Sequence, residues 1–502
     1  MNLKDKLLHP VFALIRDVAD REGIPVYVVG GYVRDLLIDR PSTDIDCTVA
    51  GDGIRLSREV CQEIGRREGS VPNLQEFKQF GTCKFQYEDT EIEFVGMRKE
   101  TYTPGSRKPH VEAGTLEDDL MRRDFSINAM AVSLNGSRYG ELIDPFNGLE
   151  DLDKQTVRSH RDPDQSFIED PLRMFRAIRF ASQLYFDIDP DTFDAIVRNA
   201  AEIKNLSAER ITEELDKLIL SPKPSYGFKL LDAAGLLNLF FPEMIALKGV
   251  ETKNGKAHKD NFEHTLEVLD HVAYAGGGLW LRWAALLHDI AKPKTKRFEE
   301  PKGWTFHAHE YIGAKMVPGI FKRFKMPMDE NMRFVQKMVE LHLRPIILAE
   351  DVVTDSAVRR LLFEAGDDID SLMTLARADI TSKNREKVAR YRNNFVIVER
   401  KLKEIEEKDR IRNFQPPVSG QDIMDYFAIP PCREVGLIKD QLKDAVLDGV
   451  IANDRQEAWE MMLRLGAELG LNAPDPKRVA PEQKKKAPEQ KPEEPEPKKK
   501  EA

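Results

Sequence analysis

Apolar positions change period along this chain. Up to about residue 150, β-branched runs with two-residue alternation mix with short helical patterns, as in a small half-buried sheet. Val26-Tyr27-Val28-Val29 ends in Gly30-Gly31, Tyr32 to Leu37 has helical spacing, and Asp44-Ile45-Asp46 opens a second strand. From about 151 the period is helical: Asp170 to Leu184, then Ala208 to Leu220, broken by Ser221-Pro222. Composition divides the helical part into 151–230, 231–395 (which holds most of the histidines) and 396–473, the last split by Pro416-Pro417 and Pro430-Pro431. From Pro474 to Ala502 the chain is Pro, Lys, Glu and Gln, without the apolar residues a core needs, and is expected to be a disordered, solvated appendage. The predicted class is α+β, a small mixed sheet followed by all-helical domains.

Side chains two apart on a strand share a face, so Asp44 and Asp46 are placed to hold divalent metal side by side. The glycines before them allow close backbone approach, and the N–H groups at the following helix start favour phosphate. Each motif alone is common; strand, Gly-Gly, helix and Asp-x-Asp in that order are much more specific, and metal with phosphate is the chemistry of nucleotidyl transfer. A third carboxylate is expected from Thr90-Glu91-Ile92-Glu93-Phe94-Val95, where Glu91 and Glu93 share one face and alternation does not choose between them.

The chain is 502 residues long, 41% hydrophobic and 32% charged, with a net charge of −10. That charge argues against indiscriminate polyanion binding but leaves room for a local basic stripe that holds RNA. No apolar run is long enough for a bilayer, and the first residues lack the apolar core of a secretory signal. Cys47, Cys61, Cys83 and Cys432 are scattered without Cys-x-x-Cys spacing, so neither a zinc knuckle nor a disulfide framework is implied, and a reducing cytoplasm is expected.

The Gly-Gly to Asp-x-Asp segment resembles the nucleotidyltransferase superfamily that includes DNA polymerase beta. Gly30-Gly31-Tyr32-Val33-Arg34-Asp35 narrows the resemblance to class II CCA-adding enzymes and bacterial poly(A) polymerases. It implies addition of CCA to tRNA 3′ ends from CTP and ATP, with Asp44, Asp46 and a third carboxylate holding Mg²⁺. The family's acid before Arg98-Lys99-Glu100-Thr101-Tyr102 points to Glu93. Arg122-Arg123-Asp124-Phe125-Ser126-Ile127-Asn128-Ala129 looks like the family's ribose-reading element: Asp124 and its neighbours, Asn128 among them, select NTP over dNTP, and Arg122 or Arg123 faces triphosphate or primer. Gly30, Gly31 and Arg34 join the nucleotide-binding set.

Glu169-Asp170-Pro171-Leu172-Arg173 resembles the family's Glu-Asp-x-x-Arg template, with Asp170 and Arg173 expected three apart on one helix face. Cytosine and adenine both show an amino donor beside a ring-nitrogen acceptor. A carboxylate accepts from the first and a guanidinium donates to the second. Uracil and guanine would leave buried polar groups mispaired. Arg176 and Arg179 continue the basic face, toward phosphate or RNA, or equally as solvated helix arginines. Ser207-Ala208-Glu209-Arg210-Ile211 has a family counterpart and is assigned to support of the template helix.

Beyond 230, His264, His288-Asp289 and Asp379 resemble the metal ligands of the HD phosphohydrolase superfamily, with His309 and His342 matching the extra histidines of two-metal members. Such a donor set suits Mn²⁺, Fe²⁺, Ni²⁺ or Zn²⁺, and a phosphomonoester or cyclic phosphate at a damaged RNA end would be a fitting substrate. Val418 to Gly436 resembles the tRNA-gripping tail of CCA-adding enzymes, with Pro431-Cys432 where the family often has Pro-Gly.

The alternatives are a poly(A) polymerase, an enzyme adding CC or A only, and a metal-dependent phosphohydrolase whose head binds RNA. Gln79-Phe80-Gly81-Thr82-Cys83-Lys84-Phe85 lacks the basic stretch associated with poly(A) polymerases. Pro104 to Leu120, expected to be the loop used in the C-to-A switch, has full length, which favours complete CCA addition.

Overall fold

A computed structural model describes residues 1–78, 81–101, 110–350, 354–381, 385–409, 411 and 414–471. Expectations for residues 79–80, the first part of the 104–120 loop and the 474–502 tail lie outside the described residues.

The strands of the head are β1 (Val26–Val29), β2 (Asp44–Val49), β3 (Gln75–Phe77), β4 (Thr82–Tyr87), β5 (Thr90–Gly96), β6 (Arg98–Thr101), β7 (His110–Ala113), β8 (Ala131–Ser133) and β9 (Leu142–Ile143). Seven of them form one sheet in the order β3-β4-β5-β2-β1-β8-β9, and β6 with β7 makes a separate hairpin. Only the β2–β5 pair is parallel; the other pairs in this sheet are antiparallel. The sheet is therefore mixed. Along β2, Ile45 and Cys47 are buried while Asp44 and Asp46 point to the wetter face. The alternation seen in the sequence thus sets which residues reach the site.

Helices α1 (Val11–Glu22), α2 (Gly31–Leu37) and α3 (Gly53–Glu68) belong to the head. Apolar stripes fix α1 and α3: Val11, Phe12, Ile15 and Val18 on one, Leu56, Val60 and Ile64 on the other, are all buried. Asp52 caps α3 by accepting from the Arg55 N–H. Helices α4 (Leu116–Met121), α5 (Gly148–Asp153), α6 (Pro163–Glu169), α7 (Leu172–Leu184), α8 (Pro190–Asn199) and α9 (Ala208–Ile219) follow. A short parallel strand pair, Thr156–Val157 with Asp187–Ile188, lies among the last of these.

One sequence expectation differs here. Asp170 is not within the template helix: it caps the end of α6 in an extended conformation (φ −140°, ψ 95°), and α7 starts two residues later. Pro171 is the reason. It disfavours helical backbone at the residue before it, so Asp170 is pushed to an extended geometry. Arg122 and Arg123 stand at a helix end. They close α4, whose start carries a Thr115–Asp118 capping box, and a single 3₁₀ turn, Ser126–Asn128, leads into β8.

The chain folds as two compact units, one made of residues 1–346 and 370–390 and the other of 347–369 with 391 onward. The histidine-bearing helices fall in the first. They are accompanied by two small hairpins, Thr252–Lys253 with Lys256–Ala257 and Arg297–Glu299 with Gly303–Thr305, which the helical pattern did not announce. In the second unit, Ser419 makes a capping box with Asp422, and Arg455 pairs with Asp422. Among the described residues no helix is long and apolar enough to cross a membrane.

Candidate active site and metal centre

A cleft of about 650 Å³ opens in the first unit, lined by Gly30, Gly31, Arg34, Asp44 and Asp46, by Arg123, Asp124 and Asn128, and by Asp170, Arg173, Arg176 and Arg179. Arg210 and Lys217 line it as well, so residues from Gly30 to Lys217 share one space. Of the expected head and template residues, only Glu93 is outside this lining, one strand away.

The parallel register sets Asp44 opposite Glu91 and Asp46 opposite Glu93. All four carboxylates stand on one face of the sheet. Lys84 on β4 pairs with Glu91 at 3.0 Å. Burial raises the Asp46 carboxyl above its ordinary value; Arg123 opposes this, and Asp44 and Glu91 add to it. Burial raises Glu93 too, reinforced by Asp46 and Glu91. Carboxylates gathered until they resist ionisation form a site that calls for a cation. An all-oxygen donor set suits a hard divalent metal.

Gly30 has φ +74°, and a β-carbon there would stand 2.7 Å from the Arg123 Nη1. Glycine is required both for the backbone angle and for the approach of that guanidinium. Arg123 donates to Asp119 at 3.2 Å, while its Nε is buried without a hydrogen-bond partner.

Behind the cleft runs a charged relay. Arg34 grips Asp35 through Nε and Nη2 and donates from Nη1 to Asn128 Oδ1 at 2.8 Å. Asn128 donates to Asp124 Oδ1 at 3.1 Å, and Arg176 Nε donates to Asp124 Oδ2 at 2.7 Å. Burial alone would raise Asp124, but Arg176 and Asn128 outweigh it and hold the carboxyl well below the usual range. Arg179 is buried against Glu214 of α9. Neither Arg176 nor Arg179 is a solvated helix arginine. The guanidinium carbons of Arg34, Arg176 and Arg179 lie 5.0, 5.4 and 3.9 Å from the ring centre of Phe180.

The template pair is arranged differently from its expected one-face geometry. Arg173 donates to Ser166 Oγ and to the Arg122 carbonyl, both at 2.8 Å. Asp170 takes its ion pair from Arg210 of α9, at 3.3 Å. This contact agrees with the assignment of the Ser207–Ile211 element to support of the template helix. A signal was present: Arg210 and Glu214 are four apart, on one face of α9, and both meet residues of the template segment.

The second centre is histidine-rich. His264, His288 and Asp379 offer ligand atoms within 4.8 Å of one another, and so do Asp289, His309 and His342. Helix ends place them: His288 follows Leu279–Leu287, His309 starts His309–Arg323, His342 follows Glu330–Leu341, and Asp379 ends Ile369–Asp379. His264 lies in the first turn of Asn261–Tyr274. Three of the rings use Nδ1 on a carbonyl: His288 on Ala285, His309 on Phe306, His342 on Val339, at 2.7–2.8 Å. Their Nε2 atoms are buried with no hydrogen-bond partner. That tautomer turns three lone pairs inward, which is the arrangement a metal uses. Asp289 connects the groups, with Oδ2 3.3 Å from His288 and Oδ1 3.2 Å from His309. Burial lowers His342 to about 3 and so keeps it neutral. Burial works against charge on His288, yet Asp289 and Asp379 carry that ring up to about 10, so with no ion bound its Nε2 would hold a proton, whose place a metal would take. The pocket demands positive charge, and its N/O donors fit a borderline transition metal.

Three family models match in chain order: the poly A polymerase head domain over residues 26–158, the probable RNA and SrmB-binding site of polymerase A over 185–247, and the HD domain over 261–384. The chain is 32% identical over 364 residues to an A-adding tRNA nucleotidyltransferase of Deinococcus radiodurans, covering 70% of this chain and 80% of that protein. It is 35% identical over 315 residues to a multifunctional CCA protein of Pseudomonas fluorescens, covering 61% and 71%. Among solved structures, the CCA-adding enzyme of Bacillus stearothermophilus in complex with CTP has a similar fold, with TM-score 0.64 at 24% identity over 92% of this chain and 99% of that one.

Proposed function

Because the chain belongs to the tRNA nucleotidyltransferase family, we propose that it adds C, C and A to tRNA 3′ ends, using CTP and ATP. The observation that carries this is the single cleft lined by both Asp44–Asp46 and Asp170–Arg173, so that one nucleotide can meet the carboxylates with its phosphates and the template with its base. Asp44, Asp46 and Glu93 are the residues that would hold Mg²⁺. When bound, the metal supplies activation of the primer 3′-hydroxyl and neutralises charge on the leaving pyrophosphate. Gly30, Gly31 and Arg123 receive the triphosphate. Asp124 and Asn128, backed by Arg34, face the ribose, and Arg176 and Arg179 hold Asp124 and the template helix in place. Asp170 accepts from the amino group of C or A while Arg173 donates to the ring nitrogen, so UTP and GTP meet mismatched partners.

The test is incorporation of each labelled NTP into tRNA transcripts ending at the discriminator base or at CC. Three additions that need CTP and then ATP support the proposal. A second proposal, A addition only, is favoured by the Deinococcus relative; it requires that the discriminator-ended transcript takes no C. Open-ended addition from ATP would indicate a poly(A) polymerase.

The histidine centre is proposed to hold one or two ions of Mn²⁺, Ni²⁺, Fe²⁺ or Zn²⁺ on His264, His288, Asp289, His309, His342 and Asp379, and to hydrolyse phosphoesters at RNA ends. Residues 396–473 are proposed to hold the body of the tRNA. Asp44→Ala separates the two centres: incorporation is lost while phosphohydrolase activity survives.

A further inference from the structure

We propose that Arg210 is a positioning residue for base selection, holding the Asp170 carboxylate apart from Arg173 so that acceptor and donor stay available side by side; the inference rests on the template role proposed above.

Selecting C and A needs a carboxylate and a guanidinium that are adjacent but not turned on each other, because a mutual bidentate pair points the facing edges of both groups at one another instead of at the base. Asp170 and Arg173 are three residues apart, with opposite charges at the edge of a partly desolvated cleft, so self-pairing is their default. The structure shows how it is avoided. Arg173 is buried and fixed by Ser166 Oγ and the Arg122 carbonyl. Arg176 is committed to Asp124, and Arg179 to Glu214. Asp170 sits on an extended residue between two helices and is drawn the other way, its side chain 27% exposed. Its Oδ1 accepts from the Leu172 N–H at 3.3 Å, and Arg210 Nη2 approaches both carboxylate oxygens at 3.3 Å.

Those contacts are long for charge-assisted hydrogen bonds, and one nitrogen is shared between two oxygens. An ionised carboxylate has about four lone-pair sites, so one shared donor and one backbone N–H leave capacity for an incoming amino group. Arg210 is also the loosest of these arginines, its side chain 46% exposed against 6% for Arg173 and 8% for Arg179. It comes from α9, so it orients Asp170 from outside the template segment. Arg210 lines the same cleft as Asp170 and Arg173, and its side-chain contact there is with the template acid, so the role assigned to it is exerted through Asp170.

The test compares kcat/KM for single additions of CTP, ATP, UTP and GTP by wild type, Arg210→Ala and Arg210→Lys, on the tRNA transcripts used above. Arg210→Ala should lower the values for CTP and ATP about tenfold or more while UTP and GTP change far less, so discrimination narrows. Arg210→Lys, which keeps the charge without the fork, should recover part of it. In a double-mutant cycle with Asp170→Asn, the losses should be strongly non-additive. Equal loss for all four nucleotides, with a lower melting temperature, would mean that Arg210 only braces the neck, and would overturn the proposal. Unchanged or improved CTP and ATP use would overturn it as well. Wild-type protein that adds neither C nor A overturns the template reading, and this inference with it; wild-type selectivity surviving in Arg210→Ala overturns the inference alone.

Discussion

Asp46 and Glu93 face each other across the one parallel strand pair of the head sheet, and Glu91, two residues away on the same face, is bound to Lys84. The two glutamates are therefore unequal. Glu93→Gln should lower nucleotide incorporation by roughly a hundredfold or more. Glu91→Gln should cost less than about fivefold, because it removes only a half-exposed ion pair. Initial rates at saturating Mg²⁺ check both; the reverse order would place the third carboxylate at Glu91.

Gly30→Ala should cost about 1–3 kcal/mol of stability through the backbone angles alone, which lie where L side chains are rarely found. Its larger effect should fall on nucleotide use, since the new methyl displaces Arg123 from the cleft wall. A thermal melt with a few degrees of loss, together with a KM for ATP raised about tenfold, is the expected pattern. An unchanged KM would remove Arg123 from the phosphate-binding set.

Asp216 on α9 accepts from the Trp283 indole N–H at 2.8 Å. Burial raises its pKa from 3.8 to about 6, against that hydrogen bond. The folded state then holds the proton more tightly than the unfolded chain. Its contribution to stability is full below about pH 4 and is lost as pH rises to about 6. Asp216→Asn keeps an acceptor for Trp283 and removes this loss. Relative to wild type it should gain about 1–2 kcal/mol between pH 4 and pH 7, after discounting for partial exposure. Melting curves at the two pH values decide it; an equal offset at both would show that the carboxylate is not titrating in that window.

Metal stripped by chelation should leave the histidine centre with three inward Nε2 atoms unsatisfied. Adding Mn²⁺ or Ni²⁺ to stripped protein should raise the melting temperature by several degrees, following mass action. His309→Ala should reduce the bound metal measured by elemental analysis, with the His264–His288–Asp379 group retained. Stripped and reloaded protein melting together would argue against a metal site.

Much of this was legible because period and order carry it. Alternation along Asp44-Ile45-Asp46 predicted which side chains share the wet face, and they do. The resemblance to the HD phosphohydrolase superfamily singled out the histidines, which the structure gathers. What was not legible depends on contacts between elements. Pro171 is plain in the sequence, but placing Asp170 and Arg173 on one helix face overlooks the extended backbone that a proline imposes on the residue before it. The element that holds Arg210 could be assigned to support of the template helix, but not the contact itself, because its partner lies 40 residues away, a distance at which sequence spacing carries no geometric information. The partners of Arg176 and Arg179 were hidden for the same reason. On a helical wheel they look like solvent-facing charges; only the packing of α7 on α9 and on the 124–128 turn turns them into a buried network.

That network has a consequence for fidelity. Asp124, on the head side, and Arg176, on the helix that carries Arg173, share one hydrogen bond, so if Asp124 reads the sugar and Asp170 with Arg173 the base, as proposed, the two readings have a common origin. Loosening that bond would not merely slow the reaction. It would let the two measurements drift independently, and wrong sugars and wrong bases would begin to enter together.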